Sequence, residues 1–312
     1  MTTLLLDTTP ATGELPPRRR GGGLLAAVRG NRKAMVGAAL FLLFCLLAAF
    51  PHLFVPWQHG DPRDIGDIPL LHPSAQHWLG TTGLGQDVYA ELIYSTRESL
   101  LIALVAGLGA TILSVLIGVS AAYLGGVADE ILSSLTDIFL VLPTFPLIIV
   151  LATFAGKGNL LVVIVVLVVT GWSYGARQMR AQGLSLRNRD FLTSARVRGE
   201  RRSYIIVREM LPTMSSLIVA NFLGAALYAV LTAAGLQFLG LGDPSSLSWG
   251  TMLYWAQNQG ALASGYPAWA LAPGLAVAAL GVSFALLNYA FDEISNPALR
   301  PIRRFRVKRA HS

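Results

Sequence analysis

Charged residues and cysteine are scarce in this sequence. Asp, Glu, Lys and Arg make up 13% of its 312 residues, which is about half of their share in a soluble domain. The single cysteine, Cys45, excludes an intramolecular disulfide. Because 54% of the residues are hydrophobic, we expect most of the chain to lie in lipid rather than in water.

The hydrophobic residues form long runs without any charged side chain. A transmembrane helix needs about 20 mostly apolar residues, and each run is long enough for one. So many charge-free runs are not typical of buried helices in a large soluble protein, and we therefore predict an all-α integral membrane protein. The first run is also too long for a cleaved signal peptide. Six transmembrane helices are predicted, near residues 34–56, 99–124, 135–155, 159–176, 214–240 and 268–291.

The positive charges are unevenly distributed along the chain. The formal net charge is +7, and all of the 24 Lys and Arg residues except Arg63, Arg97 and Lys157 fall into three segments. These segments precede the first predicted helix, separate the fourth from the fifth, and follow the sixth. They lie on one side of a membrane crossed six times, and the positive-inside rule assigns that side to the cytoplasm. Both termini are then cytoplasmic beside the lipid bilayer, and no basic patch remains for a nucleic acid.

The predicted helices divide the chain into five regions. Asp87 is placed to cap a helix that runs into the second predicted span. A second external loop is predicted at 239–252, where Pro and Gly favour turns. The five regions are a disordered cytoplasmic N-terminus (1–30), a region with the first transmembrane helix (31–60), an external segment (61–95), a helical core with a cytoplasmic loop at 177–212 (96–293), and a basic cytoplasmic tail (294–312).

The sequence contains no motif for catalysis or for an energy supply of its own. Gly156 and Lys157 do not form a phosphate-binding loop, because the upstream glycine and the following Ser or Thr are missing. The five histidines are scattered and no nucleophile motif occurs, so we predict no catalytic residue, no metal and no cofactor. The predicted membrane helices carry almost no charge, which argues against a carrier driven by protons or sodium ions. We therefore expect a partner protein to supply the energy.

The cytoplasmic loop between the fourth and fifth predicted helices is where such a partner could dock. A helix is predicted over Asp190–Tyr204, with Asp190 as its cap. Ala195 and Gly199 are four residues apart and would form a small-residue face on that helix. From these residues alone two interpretations stay open: the helix seats in a groove of another protein, or it lies on anionic lipid. The arginines that flank the face are Arg196, Arg198, Arg201 and Arg202.

The same loop resembles a signature of one known family. The stretch "TSARVRG", which begins at Thr193, and the Leu-Pro pair at 211–212 match the spacing of the coupling-helix signature of ATP-binding-cassette (ABC) importer permeases. Thr193 stands for an acidic residue of that signature, and Glu209 for an isoleucine. The resemblance implies that the ATPase-coupling residues are Thr193, Ser194, Ala195, Arg196, Gly199, Glu200, Leu211 and Pro212.

Further stretches extend the resemblance over residues 30–302. "LGTTGLGQDVYAELIYSTRESL" and "LQFLGLGDPSSLSWGTML" are similar to external motifs of the C-type permease subunit of dipeptide, oligopeptide and nickel importers. In the first of them, Thr82 and Gln86 replace the family's Asp and Arg. Ser134 stands where the family often has an arginine three residues before Asp137, so an ion pair of that arginine is lost or made elsewhere.

The resemblance implies a type I ABC importer transmembrane domain, multi-pass in the inner membrane of a bacterium. The implied partners are a homologous B-type permease, two ABC ATPase subunits and an extracytoplasmic solute-binding protein that would dock at 239–252 and 78–98. The chain itself would be no enzyme, because the partner ATPases would hydrolyse ATP. The cargo would be a peptide or a similar solute such as a nickel chelate, haem or an oligosaccharide. The alternative is a stand-alone secondary carrier or channel, which would need an ion site in mid-membrane.

Overall fold

The structure, a computed structural model, describes residues 31–55, 62–154 and 159–295. Within these ranges the chain is mostly helical; residues 62–87 form turns with one isolated β-bridge between Thr81 and Asp87. The disorder predicted for residues 1–30 and the tail from 296 onward lie outside the described residues.

Helices follow one another with short connections through most of the described chain. The cytoplasmic loop consists of several short helical segments, one of which is a π-helix. The elements are α1 (Arg32–Ala49), α2 (Pro51–Phe54), α3 (Val88–Leu124), α4 (Gly126–Val141), α5 (Thr144–Phe154), α6 (Leu160–Gly171), α7 (Ser173–Arg187), α8 (Asp190–Val197), α9 (Arg202–Tyr204), the π-helix (Ile205–Met210), α10 (Leu211–Thr213), α11 (Ser215–Phe238), α12 (Trp249–Asn258) and α13 (Pro267–Ser295).

Four helices, α1, α3, α11 and α13, are continuous and long and apolar enough to cross a membrane. The other two predicted spans are broken helix pairs: α4 and α5 meet at 89°, and α6 and α7 meet at 42°. The sharper break follows from Pro143, because a residue that precedes proline avoids the α conformation. Leu142 is accordingly extended, with ψ of 134°. The prediction of six spans is confirmed, with the third and fourth bent.

α3 is the longest described helix and is longer than the hydrocarbon core of a bilayer is thick. Its 37 residues correspond to about 55 Å at 1.5 Å per residue, whereas the hydrocarbon core is about 30 Å thick. Asp87 caps it as predicted, because its Oδ1 accepts the backbone N–H of Ala90 at 2.8 Å. Its Oδ2 lies 2.8 Å from Nδ1 of the buried His77. The external segment is thereby fixed to the start of α3.

We expect Asp87→Ala to destabilise the protein more than Asp87→Asn does. Loss of an N-cap costs about 1 kcal/mol, and the alanine variant also leaves the buried His77 without this partner, which costs roughly a further 1–3 kcal/mol. Asparagine caps almost as well as aspartate. Thermal unfolding of the purified complex in detergent measures both variants, and equal midpoints for the two would contradict this role.

Glycines allow α3 to pack closely against its neighbours. A Cβ at Gly107 would lie 2.8 Å from the backbone nitrogen of Ala226 in α11, and a Cβ at Gly118 would collide with the carbonyl oxygen of Ala176 in α7. Small residues let membrane helices approach to backbone contact. α3 is thereby placed against both α7 and α11.

The external end is covered by α12, a helix that the prediction of a loop at 239–252 missed. Ser248 and Thr251 form a capping box at its start. The fully buried Trp249 donates from Nε1 to the carbonyl of Leu92 in α3 at 3.1 Å. The polar Ser-x-x-Thr pattern was therefore a helix start rather than part of a turn.

Candidate functional site

The helix of the cytoplasmic loop is shorter than predicted. α8 covers Asp190–Val197, and the chain leaves the helix at Gly199, whose φ is 78°. The backbone N–H of Glu200 donates to the carbonyl of Ala195 at 3.2 Å, a bond that closes a glycine-capped helix end. The prediction of one helix to Tyr204 is wrong, because a glycine with positive φ terminates a helix.

The start of α8 also differs from the prediction. Arg189 occupies the N-cap position, and no side chain forms a capping hydrogen bond there. Asp190 instead lies in the first turn, where a carboxylate still interacts favourably with the helix dipole. The proposed cap at Asp190 is therefore wrong, although the helix does begin at this residue.

Ala195 faces the interior of the protein. It is fully buried in a cluster that includes Leu192 of the same helix, Met179 of α7 and Met210 of the π-helix. Gly199 lies beyond the end of the helix, and a Cβ there would meet no atom within 4 Å. The expected small-residue docking face of Ala195 and Gly199 is therefore wrong: Ala195 holds α8 to its own subunit, and Gly199 turns the chain.

The opposite face of α8 is exposed. Thr193 and Ser194 lie on it, and Val197 is 83% exposed. Together with Asp190 and Arg198 they line a shallow groove. We call Thr193, Ser194 and Val197 the outer face of α8.

Arg196 is engaged within the chain. Its Nη2 donates to the carbonyl of Arg187 at 2.9 Å, and its guanidinium lies 5.5 Å from the centre of the Tyr123 ring. It therefore connects α8 to the ends of α7 and α3. Nε of Arg198 lies 3.8 Å from Oε1 of Glu200, an ion pair that orders the turn after α8.

Leu211 and Pro212 stand directly after a π-helical turn. The backbone N–H of Leu211 bonds to the carbonyl of Ile206, five residues earlier. A widened turn beside a proline is a common site of helix distortion. The chain stays helical through Thr213, and α11 begins at Ser215. The Leu-Pro pair thus lies in a distorted helical turn that leads into the fifth span.

A cavity of about 540 Å³ is lined by four sets of residues. They belong to the bent pair α4 and α5, the bent pair α6 and α7, and the helices α11 and α13. Asn221 and Tyr228 of α11 line it, about two helical turns apart, and Asn288 of α13 also lines it. Tyr174 in its wall is 67% exposed, so the cavity is open to the surface of the subunit. Sequence reasoning missed these polar residues because it searched the spans for charges. A stripe of Asn221, Gly224 and Tyr228 on one helix face was the available signal.

The family model "Binding-protein-dependent transport system inner membrane component" matches residues 114–299. The chain belongs to this family. It is 32% identical over 277 residues to an oligopeptide transport system permease protein OppC of Mycobacterium bovis, with 88% of this chain and 93% of that one covered. It is 33% identical over 230 residues to OppC of Bacillus subtilis. That match covers 72% of this chain and 73% of the Bacillus subtilis chain. The predicted family, and an inner-membrane location with several spans, are confirmed.

The permease is also similar to a putative peptide permease protein of Brucella suis, at 35% identity over 261 residues, 81% of this chain and 84% of that one. Among solved structures, one of the MetNI methionine ABC transporter matches with a TM-score of 0.52 at 18% identity, and covers 67% of this chain and 97% of that chain. This likeness supports the fold, a type I importer transmembrane domain.

Asp137 of the permease forms an ion pair with an arginine from another helix. Nη2 of Arg177 in α7 lies 2.6 Å from Oδ1 of Asp137 in α4. Ser134 therefore leaves no unpaired carboxylate, because α7 supplies the cation. A second pair, Arg180 to Asp129 at 2.6 Å, joins the same two helices one turn away.

The permease carries an ordered polar loop at its external end. Ser245 donates from its backbone N–H and from Oγ to Oδ1 of Asp243, at 2.8 and 2.6 Å. These bonds lower the pKa of the Asp243 carboxyl and keep it ionised. The external segments 78–98 and 239–252, predicted to receive a binding protein, both include residues that pack around Trp249.

Proposed function

We propose that this permease is a pore-forming subunit of an ATP-driven peptide importer, and that α8 couples it to an ATPase subunit. The observation that carries the coupling role is the two-sided character of α8. One face is built into the subunit through Leu192 and Ala195, and the outer face is exposed. The names of the relatives support peptides as cargo.

The anchored side of α8 explains how force would be transmitted. Leu192 and Ala195 share a cluster with Val119 of α3 and Met179 of α7, and Arg196 contacts both of these helices. A displacement of α8 by a closing ATPase dimer would therefore move the cytoplasmic ends of α3 and α7 together. Small shifts at such a packed interface change the whole bundle between two arrangements rather than deforming it gradually.

The composition of the outer face favours a protein groove over a lipid surface. A helix that lies on lipid presents large apolar residues to the membrane and basic residues around them. Here the groove contains one apolar residue, Val197, beside Thr193, Ser194 and the acidic Asp190, while the larger Phe191 of the same helix is only 38% exposed. Short side chains of this kind allow a helix to enter a groove deeply.

The further partners follow from the family. We propose a homologous B-type permease as the second half of the pore, two ATPase subunits, and a solute-binding protein at the external loops 78–98 and 239–252. ATP hydrolysis would occur on the ATPase subunits, so this subunit would be non-catalytic. A stand-alone carrier is the weaker candidate, because the chain belongs to a family of binding-protein-dependent transport components.

The test is Val197→Glu in the reconstituted complex. Because Val197 is exposed in the isolated subunit, folding should be unaffected, whereas burial of an unpaired carboxylate in a protein groove costs about 3–5 kcal/mol. We expect ATP-dependent peptide uptake into proteoliposomes, and the stimulation of ATPase activity by the loaded binding protein, to fall by at least about tenfold.

The matched control is Val207→Glu, the same substitution at an exposed valine of the π-helix outside the groove. It should retain most of the uptake and the stimulation. Full activity of Val197→Glu in a correctly assembled complex would show that α8 is not the coupling element.

A further inference from the structure

The joint between α3 and α4 consists of two consecutive glycines with positive φ. Gly125, which ends α3, has φ of 64° and ψ of −170°, a conformation that is essentially restricted to glycine. Gly126, the first residue of α4, has φ of 57°. Because neither residue carries a Cβ, the backbone here meets little steric resistance to rotation. The joint can therefore serve as a pivot for α4.

The helix beyond this pivot is held at its surface rather than in a packed core. Of the α4 residues, only Thr136 is buried against the described chain. Nε and Nη2 of Arg180 in α7 donate to the two carboxylate oxygens of Asp129 at 2.6 and 2.8 Å, and Arg177 pairs with Asp137 further along. Partly exposed ion pairs contribute little to stability, so α4 could turn at the pivot without the loss of a core.

The side chain of Arg187, the last residue of α7, lies on the joint. A Cβ at Gly125 would lie 2.6 Å from Nη1 of Arg187 and 2.8 Å from its Nη2. The guanidinium thus fills the space that a side chain at Gly125 would need. It also interacts electrostatically with Asp129 in the first turn of α4. Arg187 therefore touches the joint and attracts the helix that would turn on it.

The backbone of the same arginine is bound by α8. Nη2 of Arg196 in α8 donates to the carbonyl of Arg187 at 2.9 Å. Asn188 and Arg189 alone separate α7 from α8, and the backbone N–H of Arg189 donates to the carbonyl of Leu186 at 2.9 Å, which tightens this connection. A displacement of α8 would therefore displace Arg187 with it.

We propose that Arg187 is a positioning residue that transmits a displacement of α8 to the pivot at Gly125 and Gly126, so that α4 changes its angle to α3. The inference rests on the proposed coupling role of α8. Arginine suits this task because its planar guanidinium holds several contacts in a fixed geometry. Phe139 and Leu140 of α4 lie in the cavity wall, so a change in the angle of α4 would also change the cavity.

The experiment measures the distance between α3 and α4 in the assembled complex in nanodiscs, by electron paramagnetic resonance of two spin labels. Cys45 is the only cysteine of the chain and is first replaced by serine. Leu116→Cys on α3 and Ile138→Cys on α4, both at positions more than half exposed, then carry the labels. Ile138 lies about 18 Å along α4 from the pivot, so a rotation of about 10° displaces it by about 3 Å. We expect such a change when ATP and vanadate trap the ATPase subunits, and its loss in Arg187→Gln.

Coupling is measured on the same variants. Arg187→Gln should lower peptide uptake and the stimulation of ATPase activity by the loaded binding protein by at least about fivefold. The matched control is Arg208→Gln, the same substitution at an exposed arginine of the π-helix, which should keep the distance change and the uptake. Gly125→Ala displaces the guanidinium sterically. Its effect on the distance change should not add to that of Arg187→Gln, because both remove one contact.

Three results would overturn the inference. A normal distance change in Arg187→Gln would show that this residue transmits nothing, and a lowered unfolding midpoint with the distance change retained would make it a structural residue only. A fixed distance between the labels in a complex that imports peptide would exclude the pivot. In each case a coupling defect of Val197→Glu would leave the proposed function of α8 intact. Normal coupling in Val197→Glu would instead count against the proposed function itself.

Discussion

Gly118→Ala is expected to destabilise the permease severely although it adds a single methyl group. That methyl would collide with the carbonyl oxygen of Ala176 and would lie 2.8 Å from Cβ of Met179, so both obstacles belong to or adjoin the α7 backbone. Backbone cannot rotate away as a side chain can, and overpacking of this kind costs about 3 kcal/mol. With an unfolding entropy of about 2.1 cal/mol/K per residue, this corresponds to a fall of roughly 5 °C in the unfolding midpoint of a 312-residue chain.

The matched comparison is Gly224→Ala, the same substitution in another transmembrane helix. No atom lies within 4 Å of the added methyl there, and alanine favours a helix more than glycine does. Thermal unfolding and the yield of assembled complex should be unchanged or slightly improved. If Gly118→Ala and Gly224→Ala behave alike, the close approach of α3 and α7 is not what holds the cytoplasmic half together.

The position of Gly118 also bears on coupling. α7 carries Met179, which packs against Ala195 of α8, so a displaced α7 would shift α8 as well. We expect a Gly118→Ala complex that survives purification to lose part of its ATPase stimulation at temperatures below its unfolding midpoint. The stability and coupling effects then have a single cause, the separation of α3 from α7.

The number of spans and their approximate positions could be predicted because they depend on composition alone. Length and lack of charge are local properties, and Asp87 is likewise a local signal that the capped helix confirms. The bend between α4 and α5 could also have been predicted, since Pro143 stands in the middle of the apolar segment. The 42° bend at Trp172 could not be predicted in the same way, because no proline marks it.

The candidate site was only partly predictable for a different reason. The start of the cytoplasmic helix at Asp190 was predicted correctly, but spacing does not reveal which face of a helix is buried. Ala195 was expected to face a partner and faces the core instead, because Leu192 lies one turn away and both complete an apolar stripe. Gly199 allows either a close contact or a positive φ, and only the backbone path distinguishes these uses.

The polar cavity shows the limit of a search for charges in membrane spans. Asn221, Tyr228 and Asn288 are neutral, so they do not interrupt the hydropathy that marks α11 and α13 as spans. Their common location depends on the fold, because α11 and α13 bring them to one cavity although these helices are separate in the sequence. A search of membrane helices for functional sites should therefore include stripes of neutral polar residues beside a glycine as well as charged residues.

Gly224→Phe is expected to reduce peptide uptake by at least about tenfold without unfolding the protein. The open space beside Gly224 would admit the ring, which would occupy a large part of the cavity between Asn221 and Tyr228. Since the Cβ of the new side chain meets no atom within 4 Å, the unfolding midpoint should stay close to that of the natural protein. Uptake by the reconstituted complex and thermal unfolding measure the two effects separately.

The control for this variant is Ile112→Phe, which adds an aromatic ring at a half-exposed position of α3 outside the cavity wall and should leave uptake nearly unchanged. Normal uptake by Gly224→Phe would exclude the cavity from the route of the cargo. Loss of the second permease subunit from the purified complex would show instead that Gly224 lies in a subunit contact. Blocked uptake in an intact complex is the result that only a cargo-filled cavity explains, because the ring then competes with peptide for the same space.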